Sequence, residues 1–464
     1  MTFDDLYQQQ KLNREKVFRD PVHDYIYVHD RIILELIDTI EFQRLRRIKQ
    51  LGTTNYTFHG ADHTRFAHCI GVYELTRRII NNFSRNYPTK QKGDGLWDDS
   101  ERLVALCAGL LHDVGHGAFS HTFERLFSTN HEAITQKIIT SSETEINQVL
   151  RQMGEDFPEK VASVIAKTYP NQQVVQLISS QLDADRMDYL LRDAYYTGVT
   201  YGKFDLTRIL RVIRPYEGRI LFDYSGMHAI EDYIVSRYQM YMQIYFHPTS
   251  RAMEELLHNT LRRAHYCYHH LNQTDTFKGS FLEPFLKGNW TLQDYLNIDD
   301  HTMNTSFTHW LTHEDDMLRD LAYRILSRKP PESIVTTLNQ VDELTYSIQQ
   351  ELSRFGFDPE YYFSQNNCSD LPYDFYRTDG SSQRTQIDLI TKTNQIVELS
   401  KVSPIVHALA GNERGDLRLY FPQELLTHIY GIDENDRNPN QELILNAHIK
   451  ETHDVTHLIQ ERLF

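Results

Sequence analysis

Helical periodicity dominates much of this chain and limits the folds open to it. From Arg31 to about Tyr268, apolar residues recur three and four positions apart, and few glycines or prolines interrupt them. This spacing puts apolar side chains on one face of an α-helix, and that face must be buried against another element. The pattern therefore predicts a mainly α core of packed helices. Three predicted buried stripes are Phe66, Ile70, Tyr73, Leu75, Ile79 and Phe83; Leu103, Leu106, Leu110 and Leu111; and Leu177, Ile178, Leu182, Leu190 and Leu191.

One segment inside the helical region has a different pattern. Residues 208–226 place β-branched and aromatic residues on both sides of Pro215, Glu217 and Gly218, which is typical of a β-hairpin. A long helix is predicted after Gly226, ending where Pro248 interrupts it.

The C-terminal part of the chain is less periodic. Short strand-like runs occur at 386–393, 395–400 and 417–422, separated by polar loops. We therefore predict two domains, a helical core over residues 1–275 and a smaller α+β lobe over residues 276–464.

The overall charge limits the classes of partner. The chain has 48 Lys and Arg against 64 Asp and Glu, a formal net charge of −16, which disfavours nonspecific attraction to a nucleic-acid backbone. No apolar run approaches the roughly 20 residues of a membrane span. The four cysteines, Cys69, Cys107, Cys267 and Cys368, form no CxxC pair, so no disulfide scaffold is expected. The composition favours a cytoplasmic protein without a membrane or nucleic-acid partner.

The strongest local motif is LLHDVGHGAFSH, residues 110–121, where an apolar helix leads directly into His112 and Asp113 and then breaks at Gly115 and Gly117. Adjacent helical positions project about 100° apart, so both side chains can reach one ion at the helix end. A mixed imidazole and carboxylate set suits Mn, Fe, Zn or Ni.

Two more ligands are needed to complete such a site. His68 and Asp185 lie in other predicted helices and are our candidates, giving two histidines and two aspartates. Asp183 is the competing choice for the fourth ligand, with a helix-capping role as its alternative. Because the four residues are far apart in the sequence, spacing alone does not establish that they converge.

The series His, then His-Asp, then Asp resembles the HD superfamily of metal phosphohydrolases. The match extends to longer stretches that are similar to the deoxynucleoside triphosphate (dNTP) triphosphohydrolases, including the vertebrate member that carries a sterile alpha motif. Only about fifteen residues precede the first of these stretches, so the resemblance is to a bacterial form without that motif. The stretches are 16–23 (KVFRDPVH), 38–52, 63–72 (HTRFAHCIGV), 112–124, 131–132 and 183–193 (DADRMDYLLRD).

This resemblance implies an HD-domain helical core that hydrolyses a dNTP to a deoxynucleoside and inorganic triphosphate. Water activated by the metal would attack the α-phosphorus, and magnesium would bridge the nucleotide phosphates. By position, His116, His121, Glu124 and His131 match the family's catalytic cluster, in which an imidazole protonates the departing 5′ oxygen. His121 or His116 is our candidate for that acid. Glu124 stands where the family more often has Asp.

The resemblance also implies a set of substrate contacts. Arg65 and Arg186 match phosphate contacts, although Lys is common at the second position, and Arg186, Tyr189 and Asp193 share one helix face. The family's phosphate-binding Arg and its 2′-excluding Tyr would fall near Thr249 and Leu257, which cannot fill those roles, so Tyr241 or Tyr245 is the alternative aromatic wall. The full predicted substrate set is Gln50, Leu51, Arg65, Arg186, Tyr189 and Asp193.

The family is regulated by nucleotides, and this chain retains residues that match the regulatory site. Asp38, Gln43 and Arg46 match positions that read a guanine, and their donors and acceptors complement its edge. Lys16 and Val17 match residues beside the phosphates of that nucleotide. The resemblance thus implies activation by dGTP or GTP, assembly into a homo-oligomer such as a tetramer, a role in regulating dNTP pools, and a C-terminal lobe that serves assembly and regulation.

Other interpretations of these residues stay open. An HD phosphohydrolase acting on another nucleotide is the rival within enzymes, and a catalytically silent nucleotide sensor is the rival among binding proteins. The histidines near the metal motif could orient ligands instead of transferring protons, and Asp38, Gln43 and Arg46 could form a solvated helix face.

Overall fold

A computed structural model describes residues 7–271, 274–368, 386–410 and 416–430 of the 464-residue chain. This described part divides into two compact units, each built from several segments. The first unit contains residues 7–247, 274–306 and 386–410, and the second contains residues 248–271, 307–368 and 416–430.

The first unit begins with an antiparallel β-hairpin of β1 (Lys11–Asp20) and β2 (Asp24–Asp30). Ile26 and Val28 of β2 are buried, whereas most of β1 is exposed. The hairpin therefore contributes one strand to the core and presents the other on the surface.

Helices form most of the first unit. They lie in this unit or begin in it, and in chain order they are α1 (Arg31–Asp38), α2 (Ile40–Arg44), α3 (Arg65–Asn86), α4 (Arg102–Leu111), α5 (His121–Phe127), α6 (His131–Thr140), α7 (Glu145–Arg151), α8 (Phe157–Ile165), α9 (Gln172–Ile178), α10 (Ala184–Thr197), α11 (Leu206–Val212), α12 (Met227–Met240), α14 (Thr274–Phe277), α15 (Glu283–Lys287), α16 (Leu292–Leu296), α17 (Asp300–Trp310), α21 (Leu399–Val402) and α22 (Pro404–Leu409). Short 3-10 turns lie at Leu45–Arg47, Gly52–Tyr56, Asp99–Glu101 and Tyr224–Gly226.

Helices α3, α4 and α10 form the centre of this unit. Helix α3 packs against both α4 and α10, and the side chains of α4 from Leu103 to Leu111 are all buried. A helix that is apolar on every side can only be stable when neighbours surround it. The end of α4 therefore delivers the residues that follow it into the interior.

A small mixed sheet completes the first unit. Strands β3 (Ile213–Tyr216) and β4 (Arg219–Asp223) form the predicted hairpin. Strand β4 pairs in parallel with β7 (Asp388–Ile390), which pairs antiparallel with β8 (Ile396–Glu398). The predicted helix after Gly226 is α12, and it continues as a π-helical segment over Tyr241–Tyr245. Such segments are frequent at functional sites.

The second unit packs helices on a three-stranded antiparallel sheet. Its helices are α13 (Pro248–His270), α18 (Asp316–Leu326), α19 (Val341–Arg354), α20 (Pro359–Tyr362) and α23 (Gln423–Tyr430). Its strands, in the order β5-β9-β6, are β5 (Glu332–Thr336), β9 (Asp416–Phe421) and β6 (Ser364–Cys368). Leu417 and Leu419 of β9 pack against Val341 and Leu344 of α19 and form part of its core.

The prediction of a mainly α fold with a hairpin and a smaller α+β part is confirmed. The two units do not coincide with the predicted domains 1–275 and 276–464, because each unit is built from several segments. Helix α13 packs against α18 and α20, so its burial places it with residues beyond 306. Among the described residues, no helix combines the length and the apolar character needed to cross a lipid bilayer.

Candidate metal centre

The four predicted metal ligands lie together in the first unit. His68 is on α3, His112 and Asp113 directly follow α4, and Asp185 is in the first turn of α10. The Nε2 atom of His68 is 3.3 Å from Nε2 of His112 and 3.1 Å from Oδ1 of Asp185. Oδ1 of Asp113 is 3.5 Å from Nε2 of His112, and its Oδ2 is 3.8 Å from Nε2 of His68.

Hydrogen bonds to the other ring nitrogens orient both imidazoles. Nδ1 of His68 donates to Asp188 at 2.8 Å, and Nδ1 of His112 donates to the carbonyl oxygen of Gly109 at 3.0 Å. A donating Nδ1 leaves the lone pair on Nε2, which is the atom that each ring directs toward the cluster. Both histidines are thus held in the tautomer that a metal ligand requires.

The electrostatics of the cluster favour a cation. Burial opposes protonation of His68, but hydrogen bonds to Asp185 and Asp188 outweigh it and raise its pKa to about 10. The pKa of His112 is also raised, because the negative charge of Asp113 and Asp185 overcomes the cost of burial. Since these carboxylates stabilise positive charge between them, the donor set fits a divalent metal ion.

Asp188 connects this cluster to a buried ionic network. It is fully buried and also accepts from Nε2 of His23 at 2.6 Å. Arg192 donates to both of its oxygens at 2.9 Å and to Asp20 at 2.8 Å. Asp188 therefore carries a negative charge that fixes His68 in place.

Asp183 has a different role from Asp185. Its carboxylate accepts from the backbone N–H groups of Arg186 and Ser180, each at 2.7 Å, and so caps the N-terminus of α10. It also accepts from Nη1 of Arg186 at 2.6 Å. These bonds match the capping alternative, and Asp185 is the carboxylate that faces the histidines.

A second group of possible ligands lies beside the first. His116, Glu124 and His131 bring one donor atom each within 4.8 Å of one another. Nδ1 of His131 is 2.9 Å from Oε1 of Glu124, and the rings of His131 and His116 stack with centroids 3.9 Å apart. Nε2 of His116 is 3.4 Å from Asp113, so the two groups adjoin. His121 begins α5, but its side chain lies outside the described residues.

The two described histidines of this second group differ in their protonation. Burial, and then the positive charge of Arg65, lower the pKa of His116 to about 3. Burial also opposes protonation of His131, but its hydrogen bond to Glu124 raises its pKa. The surroundings therefore favour the neutral form of His116 and the protonated form of His131.

Arg65, a predicted phosphate contact, adjoins the metal group. It is buried, forms an ion pair with Asp113 through Nη1, and donates to Oγ of Ser120 at 2.9 Å. Gln50 and Leu51 are two further predicted substrate contacts. The backbone N–H of Gln50 donates to the backbone carbonyl oxygen of His63 at 2.9 Å, and Leu51 precedes the 3-10 turn that starts at Gly52. Both lie partly buried.

Asp193 and Tyr189, two of the predicted substrate contacts, lie against aromatic side chains. Asp193 accepts from Nε2 of His63 and from Oη of Tyr245, each at 2.7 Å. The ring of Tyr189 meets that of Tyr245 edge to face at 6.2 Å, and the ring of Tyr241 meets Tyr245 in the same way at 5.1 Å. Tyr241 and Tyr245 thus form an aromatic surface next to Tyr189, as the alternative prediction requires.

Thr249 and Leu257, near which the family's phosphate-binding Arg and 2′-excluding Tyr were expected, lie in the second unit. Thr249 and Leu257 are on α13, and Leu257 is buried in that unit's interior. Neither side chain is a cation or an aromatic ring, so the structure gives them no part in the predicted contacts.

The predicted guanine-reading residues are neighbours on α1, α2 and the turn that follows. The Gln43 amide donates to the carbonyl oxygen of Ile37, next to Asp38, at 2.7 Å and accepts from Nε of Arg46 at 2.8 Å. The Arg46 guanidinium lies 3.5 Å from the centroid of the Phe66 ring.

Lys16 and Val17 lie on the exposed strand β1. They are paired with Val28 and Tyr27 of β2. Within the described ranges, no hydrogen bond or ion pair joins either residue to the predicted guanine-reading residues.

Several residues of this region were not predicted. Asp188 lies three positions after Asp185, a spacing that puts both on one helix face and could have identified it. His63 and Ser120 carry no such signal. Arg237, in the tyrosine-rich helix α12, is buried close to Arg186 and Tyr189, which its charge alone would not suggest.

Gly115 allows the turn after Asp113 to lie directly against α6. A Cβ atom there would be 2.3 Å from the backbone nitrogen of Thr135 and 2.4 Å from the carbonyl oxygen of His131. Since both neighbours are backbone atoms, we expect Gly115→Ala to destabilise the protein by about 1–3 kcal/mol and to lower its metal content. Thermal unfolding and metal analysis measure both effects.

Gly218→Ala is the control for that variant, because nothing lies within 4 Å of its added Cβ in the β3–β4 turn. It should cost only the left-handed backbone penalty, about 1 kcal/mol, and leave the metal content unchanged. Wild-type stability and metal content in Gly115→Ala would contradict the close packing of this turn.

Comparison with known proteins places this geometry in a family. The family model described as HD domain matches residues 65–193, and the model described as HD associated region matches residues 204–277. The uncharacterized protein YwfO of Bacillus subtilis is 49% identical over 420 residues, which cover 90% of this chain and 95% of that protein. The deoxynucleoside triphosphate triphosphohydrolase SAMHD1 of Gallus gallus is 28% identical over 290 residues, 54% of this chain and 45% of that protein.

A solved structure agrees with these matches over most of the chain. The crystal structure of a phosphohydrolase from Bacteroides thetaiotaomicron superposes with a TM-score of 0.73 and 27% identity, covering 88% of this chain and all of the other. The chain therefore belongs to the HD-domain family of metal-dependent hydrolases and is related to the SAMHD1-type deoxynucleoside triphosphate triphosphohydrolases.

Proposed function

We propose that this protein hydrolyses a dNTP to a deoxynucleoside and inorganic triphosphate. The observation that carries the proposal is the convergence of His68, His112, Asp113 and Asp185 beside a second group of His116, Glu124 and His131. A metal group next to a proton-transfer group is what hydrolysis of a phosphate ester requires. The relationship to SAMHD1 supports the choice of dNTP as the substrate.

The metal ligands in this proposal are His68, His112, Asp113 and Asp185. A divalent ion held there supplies Lewis-acid chemistry, activating water and offsetting negative charge on the phosphate oxygens. Mn, Fe, Zn and Ni all suit the donor set. Arg65 is well placed to contact a phosphate at the same site, because its guanidinium pairs with Asp113.

We assign the remaining substrate contacts from the family resemblance and from the contacts of these residues in the structure. Gln50, Leu51, Tyr189 and Asp193 are proposed to bind the sugar, with Tyr241 and Tyr245 as its aromatic neighbours. The contacts of Tyr189 and Asp193 with Tyr245 support this assignment.

We assign the proton that reaches the departing 5′ oxygen to His131. Its Nδ1 is hydrogen bonded to Glu124, and a carboxylate partner both orients an imidazole and stabilises its protonated form. As the bond between the α-phosphorus and the 5′ oxygen breaks, this proton would neutralise the developing alkoxide. His121 is the alternative donor, while the lowered pKa of His116 argues against that residue.

Activation by dGTP or GTP at Lys16, Val17, Asp38, Gln43 and Arg46 belongs to the same proposal. The mutual hydrogen bonds of Gln43 and Arg46 support a shared role for these two residues. We also propose that the protein assembles into a tetramer, and size-exclusion chromatography with and without each guanine nucleotide tests this. The expected result is a shift to larger species on nucleotide addition.

Incubation of the purified protein with each dNTP and Mg²⁺ or Mn²⁺, with and without dGTP or GTP, tests the reaction. We expect a deoxynucleoside and intact triphosphate as products. Release of pyrophosphate or orthophosphate would reject this reaction and favour an HD phosphohydrolase for another nucleotide. Tight nucleotide binding with no product for any metal would favour a sensor.

Glu124→Gln should shift the alkaline limb of the pH profile of kcat/KM to lower pH. The pKa of His131 is raised because its hydrogen bond to Glu124 outweighs burial, so the protonated donor persists above its ordinary range and is lost as the pH rises through that pKa. Without the carboxylate the pKa falls, and activity near neutral pH should drop roughly 10-fold or more.

Glu132→Gln is the matched control, since Glu132 adjoins His131 in sequence but pairs with Lys167 at 2.9 Å. Its pH profile should match that of the wild type. An alkaline limb that stays in place in Glu124→Gln would remove His131 from the proton-transfer role.

A further inference from the structure

The carboxylate of Asp300 joins two segments that lie beside the metal centre. Asp300 is the first residue of α17 and is 2% exposed. Its Oδ2 accepts from the backbone N–H of Lys49 at 2.8 Å, and its Oδ1 accepts from the backbone N–H of Phe119 at 3.1 Å. Lys49 directly precedes Gln50, and Phe119 lies two residues before His121. One buried side chain therefore connects the segment of a predicted substrate contact with that of a candidate acid.

The turn that contains Phe119 has an unfavourable backbone conformation. The φ angle is +50° at Phe119 and +39° at Ser120, in the left-handed region that residues with a side chain rarely adopt. Such residues persist only where the surrounding structure determines their conformation. The carbonyl oxygen of Ser120 accepts from the backbone N–H of Glu124 at 3.1 Å. The turn therefore also fixes the start of α5, the helix that carries Glu124.

Arg65 connects the same two segments from another side. Its backbone N–H donates to the carbonyl oxygen of Ile48 at 3.0 Å, and its Nη2 donates to Oγ of Ser120 at 2.9 Å. Together with the two bonds of Asp300, these contacts form a closed ring through residues 48–49, Arg65, residues 119–120 and Asp300. The turn and the guanidinium of Arg65 are therefore held in one arrangement.

The chain that leads to Asp300 is itself anchored. The hydroxyl of Tyr295, a fully buried residue, donates to the carbonyl oxygen of Gly115 at 2.8 Å. Nε of Arg44 donates to the carbonyl oxygen of Ile298 at 3.2 Å. Because these bonds fix the chain just before Asp300, its carboxylate has a defined position from which to hold the turn.

We propose that Asp300 is a positioning residue for phosphate-ester hydrolysis at this site. The assignment rests on the proposed function for the identity of the reaction. Asp300 acts through the backbone of the turn, which places Arg65 for the phosphate and Glu124 for its hydrogen bond to His131. Misplacement of such groups by about 1 Å lowers a rate by about 100-fold.

The first test compares kcat/KM for a dNTP and metal content in three full-length variants. Asp300→Asn should lower kcat/KM roughly 10- to 100-fold, because one amide oxygen keeps one N–H bond and the amide NH2 group opposes the other N–H. Asp300→Ala should lose more, since it leaves both N–H groups unpaired. Metal content should stay at the wild-type level in both, because the two bonds go to residues that are not metal ligands.

Asp299→Asn is the matched control, since Asp299 is the neighbouring buried carboxylate. Its asparagine keeps the bond from the backbone N–H of Thr302 that caps α17 and loses the ion pair with Arg47. It should therefore match the wild type in kcat/KM and metal content. An equal loss of activity in Asp299→Asn and Asp300→Asn would overturn the inference.

A double-mutant cycle tests whether Asp300 acts through the turn. Ser120→Ala removes the acceptor of Arg65 at the same turn and leaves Asp300 unchanged. If both residues hold this turn, the double variant should lose little more kcat/KM than the more impaired single variant. Losses that multiply would place the effect of Asp300 elsewhere and overturn the inference.

Hydrogen–deuterium exchange decides the inference without any dNTP. In Asp300→Asn, peptides containing Lys49 and Phe119 should exchange faster, while peptides of α3 and α10 should exchange as in the wild type. Unchanged exchange at Phe119, or faster exchange throughout the first unit with a matching loss of metal, would overturn the positioning role.

The two measurements also keep the proposals apart. If the wild type hydrolyses no dNTP, the proposed function fails, and the exchange at Lys49 and Phe119 still decides the role of Asp300. If dNTPs are hydrolysed and Asp300→Asn keeps the wild-type kcat/KM, only this inference fails.

Discussion

Asp185→Ala should lose the bound metal and lower phosphohydrolase activity by about a thousandfold or more. Oδ1 of Asp185 is 3.1 Å from Nε2 of His68 and 3.6 Å from Nε2 of His112, so the variant removes both an oxygen donor and a negative charge from the cluster. The fold should survive, because the side chain of Asp185 is 28% exposed and caps no helix. Metal analysis, circular dichroism and steady-state kinetics on the purified variant measure the three effects.

Asp183→Asn is the matched control, only two residues away on the same helix. The single amide oxygen of asparagine can still accept the bond from the backbone N–H of Arg186 that caps α10, whereas the bonds from Ser180 and from Nη1 of Arg186 are lost. Because none of these bonds is to a metal-site histidine, metal content should stay at the wild-type level. The pair of variants also decides between the two carboxylates considered from the sequence. Normal metal in Asp185→Ala with loss of metal in Asp183→Asn would transfer the ligand role to Asp183.

The sequence was sufficient for the parts of the site that local patterns determine. The apolar run of α4 leads into His112 and Asp113, and the structure places these residues in the interior because the helix before them is buried on all sides. The β3–β4 hairpin followed in the same way from its turn residues. Both depend on neighbours in sequence, which periodicity and turn chemistry can reveal.

Features that depend on partners distant in the sequence could not be predicted from periodicity or turn residues. The strand-like runs found in the C-terminal part of the sequence begin only at residue 386, yet Ser364–Cys368 form β6 because β9 pairs with them. Polar residues such as Arg237 are expected at the surface, and its burial becomes visible only when α10 and α12 are seen together.

Asp188→Asn should weaken metal binding roughly 10- to 100-fold although Asp188 is not among the predicted ligands. Its carboxylate accepts from Nδ1 of His68 at 2.8 Å, which directs Nε2 of that ring toward the cluster. The substitution also removes the charge that pairs with buried Arg192, and breaking a buried ion pair costs about 3–5 kcal/mol. Metal titration measures the loss of metal affinity, and denaturant unfolding measures the loss of stability.

Asp20→Asn distinguishes the two effects, because Asp20 pairs with the same arginine at 2.8 Å and contacts neither metal-site histidine through any hydrogen bond in the described ranges. It should reduce stability while leaving metal affinity close to that of the wild type. If both variants lose metal affinity in proportion to their loss of stability, Asp188 acts only through the fold. If metal affinity falls in Asp188→Asn alone, Asp188 contributes to metal binding by orienting the imidazole of His68.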